Sequence, residues 1–345
     1  MISNYKEYYF NVAKQLFATP SPTGYHQEIA PLIKQFAVEN GATFEQTQKG
    51  CMILTYKGKD SQKAFGLSAH ADTLGLMVRS IKSDGGLAFT KIGGPQLPTL
   101  DGEYCTVITR EGKKYTGTIL STSPSSHVYE DANKERKEEN MYIRLDQPVK
   151  SAQDTKNLGI NNGDYIAIDT KTEVTENGYL KSRFIDDKAS VVDLLTVLKI
   201  MHDNHFVPEY DVKMLITVYE EVGHGASFVP SNLISLVAVD MGCVGSDLAC
   251  TEEQVSICAK DSGGPYDYEL TNTLINLAKN NGVDYAVDIY PRYGSDVGAM
   301  WRAGYDIKGA LIGQGVHASH GMERTHFNGI ANTIKLILLY LGYTF

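Results

Sequence analysis

Glu220 and Glu221 stand side by side in LITVYEEVGHGAS, Leu215 to Ser227, where an apolar, β-branched run gives way to a glycine-rich turn. Neighbouring strand residues face opposite ways, so both carboxylates reach one site only if the chain turns there, and VGHG supplies that turn. Adjacent carboxylates repel unless a cation lies between them or one carries a proton. That points to one carboxylate on a metal ion and its neighbour moving protons on the water that reacts beside it.

Other polar clusters sit at comparable places. AHAD (69–72), FIDD (184–187) and VAVDMG (237–242) end or follow apolar runs, and HASHGMERTH, His317 to His326, follows GALIG. Taken singly, each has a plain structural reading. His70 and Asp72 can end a strand, Asp186 or Asp187 can cap the helix that follows, and Asp240 can sit in a turn. The histidines can simply be exposed. Taken together, the clusters offer imidazole and carboxylate but no thiolate, an inventory that suits zinc, cobalt or manganese. The usual chemistry of such a site is hydrolysis, with water activated and a carbonyl polarised by the metal. Carboxyl ends of strands are where open α/β sheets place their sites.

The elements that must carry these residues change character along the chain. Helical spacing runs from Asn4 to Glu39, broken at ATPSPTGYHQE, and AFGLSAHAD reads as a buried strand over Ala64 to Ala69. Between about Thr73 and Thr175 short alternating segments punctuated by Gly, Asp and Asn predict a small all-β module, barrel-like in character. After SRFIDD, helix and strand alternate again: KASVVDLLTVLKIMHDNH predicts an amphipathic helix, DVKMLITVYEE and LISLVAVDMG strands, and YELTNTLINLAKNNG a helix. The expected architecture is an α/β domain built from both ends of the chain and interrupted by a β-rich insertion.

Composition is that of an ordinary soluble globular protein. The 345 residues are 42% hydrophobic and 21% charged, with a formal net charge of -9. That balance argues against a nucleic-acid surface, which needs clustered Lys and Arg. No stretch reaches the ~18 apolar residues of a membrane span, and the first residues do not read as a leader. Five cysteines without a CxxC pair suit a reducing compartment, so a cytoplasmic location is expected.

The ordered set HAD, FIDDK, EEVG, VD, GSDVGA and a final His resembles the dinuclear-metal aminopeptidases of the tetrahedral, deblocking and glutamyl aminopeptidase family, some members of which are labelled endoglucanases. The resemblance covers nearly the whole chain. It implies an α/β fold: a mixed-sheet, zinc-exopeptidase-like catalytic domain (1–73 and 176–345) with an inserted all-β, barrel-like domain (74–175) that serves oligomerisation. By motif, His70 resembles a ligand of one metal, with Asp72 the acid behind it. Asp186 resembles the carboxylate bridging both metals, often followed by a cis peptide in the family. Glu220 resembles the general base and acid, Glu221 a ligand, and Asp240 a ligand of the other metal. Among His317, His320 and His326, the family's spacing from Asp296 lands on His320.

Three departures stand out: HGM replaces the family's HSP, Lys188 replaces an Arg, and the turn after the glutamates is one residue shorter, with His224 in it. They leave the ligand set intact and bear on substrate preference. The resemblance therefore implies an aminopeptidase acting on short peptides, with two divalent ions (zinc or cobalt, manganese also accepted) and a homo-oligomer, typically a dodecamer. The rivals are another metal-dependent acylase or deacetylase on the same scaffold and, less well supported, a glucanase, for which adjacent glutamates do not by themselves supply opposed carboxylates.

Overall fold

A computed structural model describes residues Met1 to Phe345. Strand Asp60–His70 runs through the middle of a ten-stranded mixed sheet. On one side it pairs parallel with Tyr210–Thr217, and on the other with Leu233–Val239, which is itself parallel to Lys308–Val316. From Ala64 to His70 only Phe65 is partly exposed, as expected where a parallel strand is covered on both faces. Antiparallel pairs appear toward the sheet's margins. Thr43–Gln46 and Met52–Tyr56 extend one edge, and Val255–Asp261 lies antiparallel to Lys308–Val316 on the other. The outer strand TFEQ is exposed or half-buried throughout, so it carries no apolar signal from which sequence would predict it.

Helices Lys6–Ala18, Ile29–Glu39, Ile185–Asp203 and Phe327–Tyr340 contribute to one large core against this sheet. A second core on the opposite face joins Leu215, Leu236, Ala238 and Leu311 to Val297 and Met300 of helix Asp296–Arg302. Helix Ile185–Asp203 departs from the expected amphipathic pattern, because every residue from Ile185 to Leu198 is buried. Its inner side meets strand Asp60–His70, and helices Lys6–Ala18 and Phe327–Tyr340 cover the outer side. Its polar residues are consequently trapped. Lys188 is 1% exposed, and its ammonium donates to Leu16 O (2.9 Å) and Thr19 O (2.7 Å). Burial lowers its pKa to about 7.

Between the first and second site motifs the chain forms a closed six-stranded barrel, ordered Gly75–Ile81, Leu87–Ile92, Met141–Leu145, Lys114–Ser121, Tyr104–Ile108 and Tyr165–Ile168. Closure removes the free edges that a small antiparallel sheet would otherwise expose. Leu76, Val78, Phe89, Val107, Ile119, Ile143 and Ile166 fill its interior. The next strand, Glu173–Val174, pairs instead with Tyr179–Ser182, which pairs with Glu323–His326 near the C-terminus. A buried ion pair secures the junction. Arg183 donates to Glu103 Oε2 and Thr99 O of the barrel, each at 2.7 Å, and reaches Gly321 O at 3.3 Å.

Candidate metal centre

Four neighbouring parallel strands end on the same side of the sheet, and each delivers part of one cluster. Strand Asp60–His70 ends on His70 itself, opposite Thr217 in the register of its neighbour. After Thr217 the chain bends into a single 3-10 turn, Glu220–Val222, so the two glutamates leave the strand geometry that would point them apart. Asp240 directly follows strand Leu233–Val239, and His320 lies in the loop after Lys308–Val316. Asp186 enters from the start of the buried helix, where Asp186 and Asp187 have non-helical backbone angles and are joined by a cis peptide.

The two histidines are oriented alike. His70 Nδ1 lies 2.9 Å from Asp72 O, and His320 Nδ1 lies 3.0 Å from Gly94 O. A carbonyl can only accept, so each Nδ1 carries a proton and Nε2 is the nitrogen that a metal could take once it is deprotonated. That is the arrangement that makes imidazole a metal ligand. His70 Nε2 stands 3.1 Å from Asp186 Oδ1 and 3.7 Å from Glu220 Oε2. His320 Nε2 stands 3.6 Å from Asp186 Oδ2 and 3.7 Å from Glu221 Oε2. Asp186 thus presents one oxygen to each histidine.

The glutamate turn is gripped along its length. Asp72, 2% exposed, accepts from Glu220 N (3.2 Å), Glu221 N (3.4 Å) and Thr23 Oγ1 (2.7 Å). Its carboxylate is also 3.6 Å from His70 Nδ1, but the closer partner of that nitrogen is the Asp72 carbonyl. Further on, Gly223 adopts φ 85°, a conformation that glycine takes at least cost. A Cβ on Gly225 would collide with Asp296, whose carboxylate accepts from Thr217 Oγ1 (2.8 Å) and Ala226 N (2.9 Å). At the tip, Lys49 Nζ reaches His224 Nδ1 (2.9 Å), His224 O (2.6 Å) and Ser227 Oγ (2.7 Å). The His224 ring stacks on Tyr219. The shortened turn is therefore braced by a lysine from the Thr43–Tyr56 hairpin.

Electrostatically the cluster is overloaded with carboxylate. Burial, with Asp240 adding to it, holds Glu220 and Asp187 well above the usual carboxylate range; burial and then Asp186 do the same to Glu221. Burial and Asp186 push Asp240 up to about 7. Burial opposes charge on Asp186 and His70 as well, but the histidines around Asp186 lower its carboxyl, and Asp186 together with Glu220, Asp187 and Asp240 raises the His70 imidazole. Asp187 Oδ1 and Glu221 Oε1 are buried without any hydrogen-bond partner. Two sets, His70–Asp187–Asp240 and His70–Asp186–Glu221, have donor atoms within 4.8 Å of one another. Crowded acids, orphaned oxygens and inward-turned imidazole Nε2 atoms are what divalent ions would satisfy, and the nitrogen and oxygen donors suit zinc, cobalt or manganese.

His70, Asp72, Asp186, Glu220, Glu221, Asp240 and His320 thus come together. His317 and His326 do not join them. His317 is exposed, and both ring nitrogens of His326 are occupied, with Asn177 O at 2.8 Å and Asn328 N at 3.1 Å, at the start of the last helix. Three residues without an assigned role from sequence also belong to the site. Asp187 accepts from the His70 backbone at 3.0 Å, Asp296 anchors the glutamate turn, and buried Glu323 bonds the backbone beside two of the candidate ligands. Their signal in the sequence is faint: each is an acid within an apolar or glycine-rich context, which many turns share.

A buried carboxylate and imidazole cluster at the carboxyl ends of a parallel α/β core defines a hydrolase of the metallopeptidase class. The chain belongs to the M42 glutamyl aminopeptidase family, whose profile matches residues 50–336, and it is an aminopeptidase. It is 44% identical over 330 residues to YhfE of Bacillus subtilis, a protein with a provisional aminopeptidase name, covering 95% of each chain. It is 25% identical over 340 residues to the glutamyl aminopeptidase of Lactococcus lactis, covering 92% of this chain and 91% of that one. In fold it resembles the TET1 peptidase of Pyrococcus horikoshii, with a TM-score of 0.85 at 23% identity, covering 98% of this chain and 100% of that one.

Proposed function

We propose that this aminopeptidase releases N-terminal residues from short peptides at a dinuclear centre, with His70, Asp186, Glu221, Asp240 and His320 as ligands and Glu220 as general base and acid. The observation that carries the reading is the matched pair of histidines, each fixed through Nδ1 and each turning Nε2 toward a different oxygen of Asp186. Bound ions would polarise the scissile carbonyl and acidify water beside them. Glu220, raised by burial, is suited to taking a proton from the attacking water and passing it to the leaving amine. Asp72 holds the Glu220 backbone in place for both transfers.

The substrate's first residue is a separate question, because named relatives differ: the Lactococcus lactis protein is a glutamyl and the Pyrococcus furiosus protein a lysyl aminopeptidase. A panel of aminoacyl chromogenic substrates, assayed after chelation and after adding back zinc, cobalt or manganese, decides it. Cleavage of free-amine substrates should vanish with chelation and return with metal. Faster cleavage of N-acetylated substrates would favour the acylase reading instead.

We infer further that residues 74–175 act as an assembly domain in a homo-oligomer, a dodecamer by likeness to the family, working in the cytoplasm. The Pyrococcus horikoshii TET1 peptidase is described as forming a tetrahedron or a large octahedral shell. In support, the insertion exposes large apolar side chains, with Tyr104 at 62% and Val128 at 72%. No helix is long and apolar enough to cross a membrane.

A further inference from the structure

We propose that Glu323 is a positioning residue that sets His320 against Asp186, and so fixes the second metal position; this rests on the dinuclear reading above. Glu323 opens strand Glu323–His326 and pairs with Ser182, four residues before Asp186. It is 2% exposed. Its Oε2 accepts from Asp186 N at 2.9 Å and its Oε1 from His320 N at 2.9 Å. One planar carboxylate thus joins the backbone of two candidate ligands that come from segments far apart in the chain.

Both segments need such a bracket. Phe184 (φ 62°), Ala318 (φ 60°) and His320 (φ 63°) all lie in the left-handed region. That conformation is unfavourable for a non-glycine residue and lasts only where the surroundings enforce it. Bonds from backbone N–H groups to an ionised carboxylate are among the stronger ones available for the purpose. No lysine or arginine pairs with Glu323, so its charge is committed to these donors.

Placing that charge beside Asp186 is unfavourable in the protein alone. The arrangement makes sense when cations in the cluster balance both acids. Glutamine would not substitute. It offers one acceptor oxygen, and its amide nitrogen would confront the other N–H.

The test is calorimetric titration of metal-stripped full-length wild type, H320A and E323Q with Mn2+, with thermal melting of each stripped protein. Wild type should take up two ions, and H320A should lose one of the two binding steps. E323Q should keep the step that H320A keeps and weaken the other by about 10- to 100-fold, with excess metal restoring turnover. If E323Q does not fold, E323D, which keeps the charge on a shorter arm, is titrated instead and should show the same selective weakening. A folded Glu323 variant with both affinities matching wild type overturns the proposal, as does failure of both variants to fold, which would make the residue purely structural. Wild type that binds no divalent ion sinks the metal centre itself, whereas two ions in wild type and unchanged E323Q sink the bracket alone.

Discussion

His70 and His320 become ligands in waiting through what their other nitrogens do. The carbonyls of Asp72 and Gly94 hold Nδ1 and leave Nε2 turned toward Asp186. Glu220 and Glu221 divide by the same kind of local fact, since the 3-10 turn brings both to one side while Glu221 alone approaches His320. Glu220→Gln should therefore keep its metal and lose about 10²- to 10⁴-fold in turnover, whereas Glu221→Ala should lose metal. Elemental analysis finding both variants equally loaded would refute the division. A second residue-scale consequence concerns Asp193, wholly buried with neither oxygen bonded and held well above its usual range by burial. Below about pH 4 the group is protonated whether the chain is folded or not. As pH rises the unfolded chain ionises first, so folded stability falls by up to about 1.4 kcal/mol per pH unit until the folded group titrates too. Asp193→Asn should consequently gain on wild type in denaturant melts at pH 8 relative to pH 5. A difference independent of pH would contradict this. The acids and histidines that the fold gathers at strand ends were legible in the sequence because a carboxylate or imidazole after a β-branched run stands out. Asp187 and Glu323 were not, because their partners are backbone groups brought near only by folding.

The glutamate turn is the element on which the proposed catalysis hangs. Asp72 holds its start, Asp296 its end and Lys49 its tip. From sequence the missing residue and His224 looked like the weakest match to the family. In the fold His224 is a built contact, stacked on Tyr219 and bonded by Lys49, whose hairpin precedes the first strand that the sequence pattern revealed. Lys49→Met keeps the side chain's length but drops its bonds. It should lower kcat about tenfold, ~1.4 kcal/mol of barrier, with little change in melting temperature because the residue is exposed. Wild-type kcat in that variant would show that the brace is idle. Helix Ile185–Asp203 shows the other limit of sequence legibility. Its place was plain from its apolar spacing, but its burial on all sides follows from helices Lys6–Ala18 and Phe327–Tyr340, which no local pattern connects to it.

At the scale of the whole molecule, the barrel and the α/β core meet at the site. Gln96 of the barrel segment bonds His320 O through its backbone (3.2 Å) and Ser319 O through its side chain (3.1 Å), and Gly94 O takes the His320 ring proton. The insertion thus shapes the loop that carries His320. Its β character was legible in its short alternating strands; its hold on His320 was not, because that contact joins residues more than two hundred positions apart. Light scattering on the purified protein should give the mass of about twelve chains, and a monomer at working concentration would remove the assembly reading. The central claim is the dinuclear centre. Anomalous diffraction at the metal absorption edge tests it most directly. Two peaks about 3.5–4 Å apart are expected, on either side of Asp186, one by His70 and Asp240 and the other by Glu221 and His320. A lone peak, or none between these side chains, would contradict it.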